Sequence, residues 1–164
     1  MYFTCDDINT KYIDHLYKLD KLKEKYPDFK VTCFVIAENF SDELKKWLNQ
    51  DWIEAAVHGY SHDGIPECER DDREKTIKKS YKILKPCLPE KYGYRAPGFQ
   101  MTASTYPILN KYGFWYLACQ YKVQPLKREA WFSRDILINS HIYDDLKYEF
   151  KRGEKFKFIS EGFH

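Results

Sequence analysis

Residues 52–62 read Trp52-Ile53-Glu54-Ala55-Ala56-Val57-His58-Gly59-Tyr60-Ser61-His62. Ile53 to Val57 is a short, mostly apolar run of strand length. It stops at a histidine, and a second histidine stands four positions on. Gly59 directly behind a strand predicts a loop or a helix start, and either can aim two imidazoles at one point. Alone, a histidine pair at this spacing is more often structural than metal-binding. A second stretch changes the reading. Tyr2 to Cys5 is another strand-like run, and it ends in two adjacent carboxylates, Asp6 and Asp7. One carboxylate plus two imidazoles at strand ends is the ligand set of a divalent catalytic ion with an open coordination position. The other carboxylate is then a candidate base for water activated at that ion. The rival reading of Asp6-Asp7 is an acidic pair at a helix N-terminus, with Asn9 or Thr10 as cap. One carboxylate can fill that role while its neighbour binds the ion.

Outward from these two stretches, strand-like runs alternate with helical patterns. The predicted strands are Tyr2 to Cys5, Val31 to Ile36, Ile53 to Val57, Tyr92 to Tyr94, Trp115 to Ala118, Ile136 to Asn139 and Phe156 to Ile159. Tyr12, Leu16, Leu19, Lys23 and Tyr26 recur at helical spacing, and Pro27 ends that run. Leu44, Trp47 and Leu48 mark a second helix. Ile77, Tyr81 and Leu84 mark a third, with Asp71 and Glu74 as a capping box. Thr102 to Tyr112 suits a fourth, stopped by Gly113. Such alternation implies an α/β protein with a parallel sheet and helical crossovers. Seven strands with helices between most of them predict a closed or nearly closed barrel; a doubly wound open sheet is the alternative. Both put functional groups at the C-terminal ends of strands. Asp6, Asp7, His58, Arg95 and His141 all fall there. Tyr143 to Lys155 reads as a solvated last helix and loop.

At 164 residues the chain is expected to be one domain, residues 1–164. The net charge of +2 gives no argument for nucleic acid as a partner. Aromatics reach 18%, which favours large rings in core and rim over a sugar- or base-stacking groove. No apolar run is long enough for a membrane segment. Met1 to Asp7 lacks the features of a secretory signal, so a cytoplasmic location is expected. The five cysteines are scattered without a Cys-x-x-Cys pair, which argues against a disulfide framework or cysteine-bound zinc. Cys5, Cys33 and Cys119 lie in apolar runs and read as buried thiols.

Two further residues can carry chemistry. Arg95 opens Arg95-Ala96-Pro97-Gly98-Phe99, where Pro97 and Gly98 impose a turn. The backbone N–H groups at Gly98 and Phe99 can form an oxyanion site, and Arg95 can hold a carboxylate. A surface arginine on an ordinary loop is the plainer reading. His141, in Ile138-Asn139-Ser140-His141, is either structural or a proton donor to a leaving group. His15 and His164 show no functional pattern. The chain has no Gly-rich phosphate loop and no serine nucleophile elbow.

In this order the residues resemble the polysaccharide deacetylase family, also called the NodB-homology domain or carbohydrate esterase family 4. Thr4-Cys5-Asp6-Asp7 looks like its first motif, Thr-Phe-Asp-Asp. Lys30-Val31-Thr32-Cys33-Phe34-Val35 looks like its second strand. His58-Gly59-Tyr60-Ser61-His62 matches its His-x-x-x-His, with Glu54 at the usual distance before it. Arg95-Ala96-Pro97-Gly98-Phe99 resembles its Arg-x-Pro motif. The resemblance implies a distorted (β/α)7 barrel that removes acetyl groups from a carbohydrate, as N-acetyl amides or occasionally O-acetyl esters. It implies one divalent metal ion, zinc by ligand type with cobalt or nickel as substitutes, on Asp7, His58 and His62. Asp6 would be the general base, Arg95 its orienting partner and His141 the general acid. The oxyanion would meet the ion and a backbone N–H near Gly98. Two motifs depart from the family. The fourth has no clear counterpart in Phe114-Trp115-Tyr116-Leu117-Ala118-Cys119-Gln120, and the fifth, usually Leu-x-His, reads Asn139-Ser140-His141. These departures support a rival reading, a catalytically weak sugar- or metal-binding module. A metal-dependent hydrolase of another amide or ester is a third. With no signal, the expected substrate is a cytoplasmic glycan precursor or a small acetylated sugar rather than cell-wall polymer.

Overall fold

A computed structural model describes residues 2–65, 70–99, 104–118, 123–125 and 138–139. Its elements run β1 (Tyr2–Ile8), α1 (Ile13–Lys25), β2 (Lys30–Val35), α2 (Asp42–Leu48), β3 (Ile53–Val57), α3 (Arg73–Leu84), β4 (Gly93–Tyr94), α4 (Thr105–Lys111), β5 (Tyr116–Ala118), β6 (Val123–Pro125) and β7 (Ile138–Asn139). The strands form one sheet in the order β6-β5-β4-β3-β2-β1-β7. From β1 to β5 each strand lies beside its predecessor and parallel to it. β7 joins the far side of β1, also parallel.

That order decides between the two architectures. Crossovers between parallel strands are right-handed, so a sheet that always steps in one direction keeps its helices on one side. Core packing agrees. Phe3, Val31, Cys33, Val35, Ala55, Val57 and Leu117 from the strands share a cluster with Leu16, Leu19, Leu44, Trp47, Leu48, Ile77, Leu84 and Leu109 from the helices. Alternate residues point to the opposite face. There Phe34, Ala56, Tyr116 and Ala118 pack among themselves. A doubly wound sheet would be covered by helices on both faces. The fold is therefore of the (β/α) barrel type, its inner face lined by strand residues and its outer face clad by α1 to α4.

Local chemistry explains most boundaries. α1 ends at Lys25, and Tyr26, directly before Pro27, takes an extended conformation. Ser41 caps α2 by accepting a bond from the Leu44 N–H at 3.1 Å. Gly113, at φ +80, ends the turn after α4. The expected capping box of α3 does not form. Asp72 occupies the cap without a side-chain bond, and Glu74 reaches across to Lys111 at 2.6 Å and the Tyr112 hydroxyl at 3.1 Å on α4 and its end. The tertiary partner, a cation, wins over the local backbone donor. β6 is a strand that the sequence pattern did not suggest. It pairs antiparallel to β5, with Pro125 opposite Tyr116, a position that an edge strand tolerates. The expected strand Phe156 to Ile159, the stretch Tyr143 to Lys155, Cys119 and residues Thr102 and His141 lie outside the described residues. Among the described residues, no helix is long and apolar enough to cross a membrane.

Candidate active site

β1 does not stop before the acidic pair; it runs through it to Ile8. Cys5 pairs with Cys33 but Ile8 pairs with Val35, so the register slips between them. Three steps on β1 match two on β2, which is a β-bulge. Asp7 sits inside it at φ 57, a left-handed conformation that aspartate tolerates better than most residues. In a regular strand Asp6 and Asp7 would face opposite sides. The bulge re-aims Asp7, so both carboxylates reach side chains at the same end of the sheet. Asn9 caps the 3-10 turn that follows, its side chain accepting from the Lys11 N–H at 2.8 Å, so capping and the acidic pair coexist.

Asp6 continues the inner face that holds Thr4. Its side chain, 2% exposed, forms a salt bridge with Arg95, also 2% exposed. The same Arg95 nitrogen donates to the Thr4 hydroxyl at 3.3 Å, and the guanidinium lies 3.8 Å from the centre of the Phe34 ring. Arg95 is thus no surface residue. Burial excludes water from its pairing with Asp6, and the Phe34 face supplies further negative potential.

His58 follows β3 and is buried, its N–H bonded to the Val35 carbonyl at 2.8 Å. Its Nδ1 lies 2.9 Å from the carbonyl oxygen of Arg95. A carbonyl only accepts, so Nδ1 carries the proton, and the Nε2 of a neutral ring presents a lone pair. That atom is 3.4 Å from Asp7 Oδ1. His62 Nε2 approaches the same oxygen at 3.6 Å. The ligand atoms of Asp7, His58 and His62 all lie within 4.8 Å of one another. Converging acceptors repel unless protons or a cation lie between them. Ligands about 2.0–2.2 Å from a tetrahedral ion are separated by about 3.3–3.5 Å. The two separations from Asp7, 3.4 and 3.6 Å, are close to that spacing, and the three ligand atoms converge within 4.8 Å, so these residues can hold a divalent ion. Asp7 and His62 are each about two-fifths exposed, at 41% and 43%, which opens this side of the cluster to solvent.

The loop after His58 is neither strand nor helix. Gly59 takes φ 75, and the Glu38 N–H donates to the Tyr60 carbonyl at 2.8 Å. The Lys79 ammonium lies 3.7 Å from the centre of the Tyr60 ring. Behind His62, the Ser61 hydroxyl donates to Asp63 at 3.2 Å, and Asp63 is ion-paired with Arg70. Arg70's hydrogen bond, followed by that from the Ile65 N–H, lowers the Asp63 carboxyl to about 2. Gly98 lies in a 3-10 turn over Pro97–Phe99 at φ 62, so the expected turn after Arg95 is present. Of the expected site residues, Asp6, Asp7, His58, His62 and Arg95 come together. Thr4 and Phe34 escaped notice as partners of Arg95, although period-2 alternation puts Thr4 on the face of Asp6.

The candidate metal cluster lies at the C-terminal ends of the strands, where (β/α) barrels carry their functional groups. The sequence model of the polysaccharide deacetylase family matches residues 1–117, and the chain belongs to that family. Among curated proteins, no match is found. Several solved structures resemble it, two of them as follows. A family 4 carbohydrate esterase from Streptomyces lividans, in complex with acetate, superposes with a TM-score of 0.51 at 15% identity, covering 70% of this chain and 59% of that one. A family 4 acetyl xylan esterase from Clostridium thermocellum, in complex with a cobalt ion, aligns with a TM-score of 0.47 at 18% identity, covering 65% of this chain and 54% of that one. The chain thus spans little more than half the length of either. The first of them shares the fold.

Proposed function

We propose that this chain is a metal-dependent hydrolase that removes acetyl groups from a carbohydrate, as N-acetyl amides or O-acetyl esters. Family membership supports the reaction class, and one observation carries the metal. The Arg95 carbonyl fixes the Nδ1–H tautomer of His58, so that its Nε2 faces Asp7 beside His62. In this reading Asp7, His58 and His62 hold one divalent ion, zinc by ligand type, with cobalt or nickel able to replace it. When bound, the ion supplies Lewis acidity, polarising an oxygen and making water easier to deprotonate.

The remaining work falls to protein groups. Asp6, locked by Arg95, takes a proton from the attacking water as its oxygen bonds to the acetyl carbon. Backbone N–H groups at Gly98 and Phe99 stabilise the oxyanion that develops. His141 gives a proton to the departing amine as the C–N bond breaks, leaving acetate and the free amino sugar. The test is acetate release from N-acetylated oligosaccharides before and after chelation, with metal then restored. Metal-dependent release is expected. A protein that binds about one ion per chain yet releases no acetate from any acetylated sugar or ester would instead be the binding module.

A further inference from the structure

β4, the strand before Arg95, is two residues long and pairs with β3 only through Val57 and Tyr94 among the described residues. Yet the position of Arg95 serves the site twice. Its side chain holds Asp6, and its carbonyl accepts from His58 Nδ1 at 2.9 Å. Two registered pairs to β5, Gly93 with Tyr116 and Tyr94 with Leu117, and the Arg95 N–H donating to the Val57 carbonyl at 2.9 Å complete its backbone anchorage, so side chains that cross so short a strand bear directly on where Arg95 sits. β3 and β5 flank β4 in the sheet. Tyr116 on β5 lies across it on the inner face: a Cβ added to Gly93 would come 1.9 Å from the Tyr116 ring. Only glycine leaves room for that crossing. Beyond β4, the Tyr116 hydroxyl donates to Glu54 Oε1 on β3 at 2.6 Å.

We propose that Tyr116 and Glu54 are positioning residues, a hydrogen-bonded strap over β4 that keeps Arg95 in register with both Asp6 and His58. The strap rests on the reading of Asp7, His58 and His62 as metal ligands and Asp6 as base. Neither residue belongs to the ligand set or serves as the base in that reading. Burial, then the neighbouring Glu54, pushes the Tyr116 hydroxyl well above its ordinary range, so it stays a donor at working pH. Burial also raises the Glu54 carboxyl, with the Tyr116 bond opposing the rise. Both forms of that carboxyl accept the hydroxyl, so the strap holds through its titration. Removing the hydroxyl takes away the tie across β4, and the resulting displacement of Arg95 misaligns the Asp6 partner and the His58 orienter together.

Cobalt titration of the apo protein, read by visible absorption, tests the strap without reference to turnover. Loss of an orienting group behind a metal ligand typically weakens affinity ~10–100-fold. Acting one step further back, Tyr116→Phe should weaken cobalt binding ~10-fold. On an acetylated substrate it should lower kcat by a similar factor and leave KM unchanged. Glu54→Leu should match it, whereas Glu54→Gln, whose amide oxygen still accepts the hydroxyl, should behave as wild type. Ile77→Val, buried on the helix-covered face, controls for simple destabilisation: melting temperature falls and cobalt affinity does not. If Tyr116→Phe does not fold, Glu54→Leu against Glu54→Gln carries the same comparison. Wild-type cobalt affinity in Tyr116→Phe or Glu54→Leu, or equal damage in the Gln and Leu variants, overturns the strap. If wild type releases no acetate, the deacetylase reading falls while the cobalt arm still decides the strap. If wild type binds no cobalt, the ligand set and the strap fall together.

Discussion

Replacing Arg95 with Met keeps much of the side-chain volume and removes the charge. Asp6 is then left with its side chain 2% exposed and no cation against it. Breaking a buried ion pair from one side costs about 3–5 kcal/mol, mostly the penalty of the stranded charge. Losing the stacking on Phe34 adds about 0.5–2 kcal/mol, and Met packing on the same ring returns part of it. Against a total stability of roughly 5–15 kcal/mol, this is a large fraction. With a urea slope of about 2 kcal/mol/M, the ion-pair loss alone should lower the unfolding midpoint by roughly 1.5–2.5 M. Trp47 and Trp52, both buried and in edge-to-face contact at 5.9 Å, provide the fluorescence signal. The decisive comparison is the double variant Arg95→Met, Asp6→Asn, which removes both charges and should recover most of the loss. A single-variant loss under about 1 kcal/mol, or strictly additive losses in the double, would refute a dry, mutually dependent pair.

Three other expectations follow from the site. Asp6→Asn should cut turnover ~10²–10⁴-fold yet retain the ion, while Asp7→Asn, like His58→Ala, should lose it by elemental analysis; the reverse pattern exchanges the two carboxylate roles. His141→Ala should damage N-deacetylation far more than hydrolysis of an activated aryl ester, because only the amine needs a proton to leave; equal small losses on both remove His141 from the mechanism. Burial, then the charges of Asp6 and Asp7, raises the Cys5 thiol from 9.0 to about 12, so its thiolate fraction near pH 8 is about a thousandfold below that of a free thiol. Alkylation by iodoacetamide, followed by peptide mass spectrometry, should therefore be slow in the native protein and fast in urea; the associated stability is intact below pH 9 and is lost as pH rises towards about 12.

The strand runs and the helical spacings were legible because period-2 and period-3.6 patterns record which face of each element meets the core. Val31, Cys33 and Val35 alternate with Thr32 and Phe34, and that alternation separates the helix-covered face from the inner one. The histidine pair, the acidic pair and Arg95 were legible as a candidate cluster because each is a polar group near a strand end, and the sheet brings those ends together. Local pattern was a weaker guide where a distant partner competes. Glu74 left its capping role for Lys111 and Tyr112, and β6 is a strand through its pairing with β5. Sequence alone could name Asp6 and Asp7 but not aim them, since adjacent strand residues diverge unless a bulge intervenes, and a bulge is a relation between two strands. Nor could it foresee that the Arg95 carbonyl sets the tautomer of His58, or that Tyr116 spans β4 to Glu54. Those contacts join residues 37 and 62 positions apart, and only the packed sheet brings them within hydrogen-bond distance.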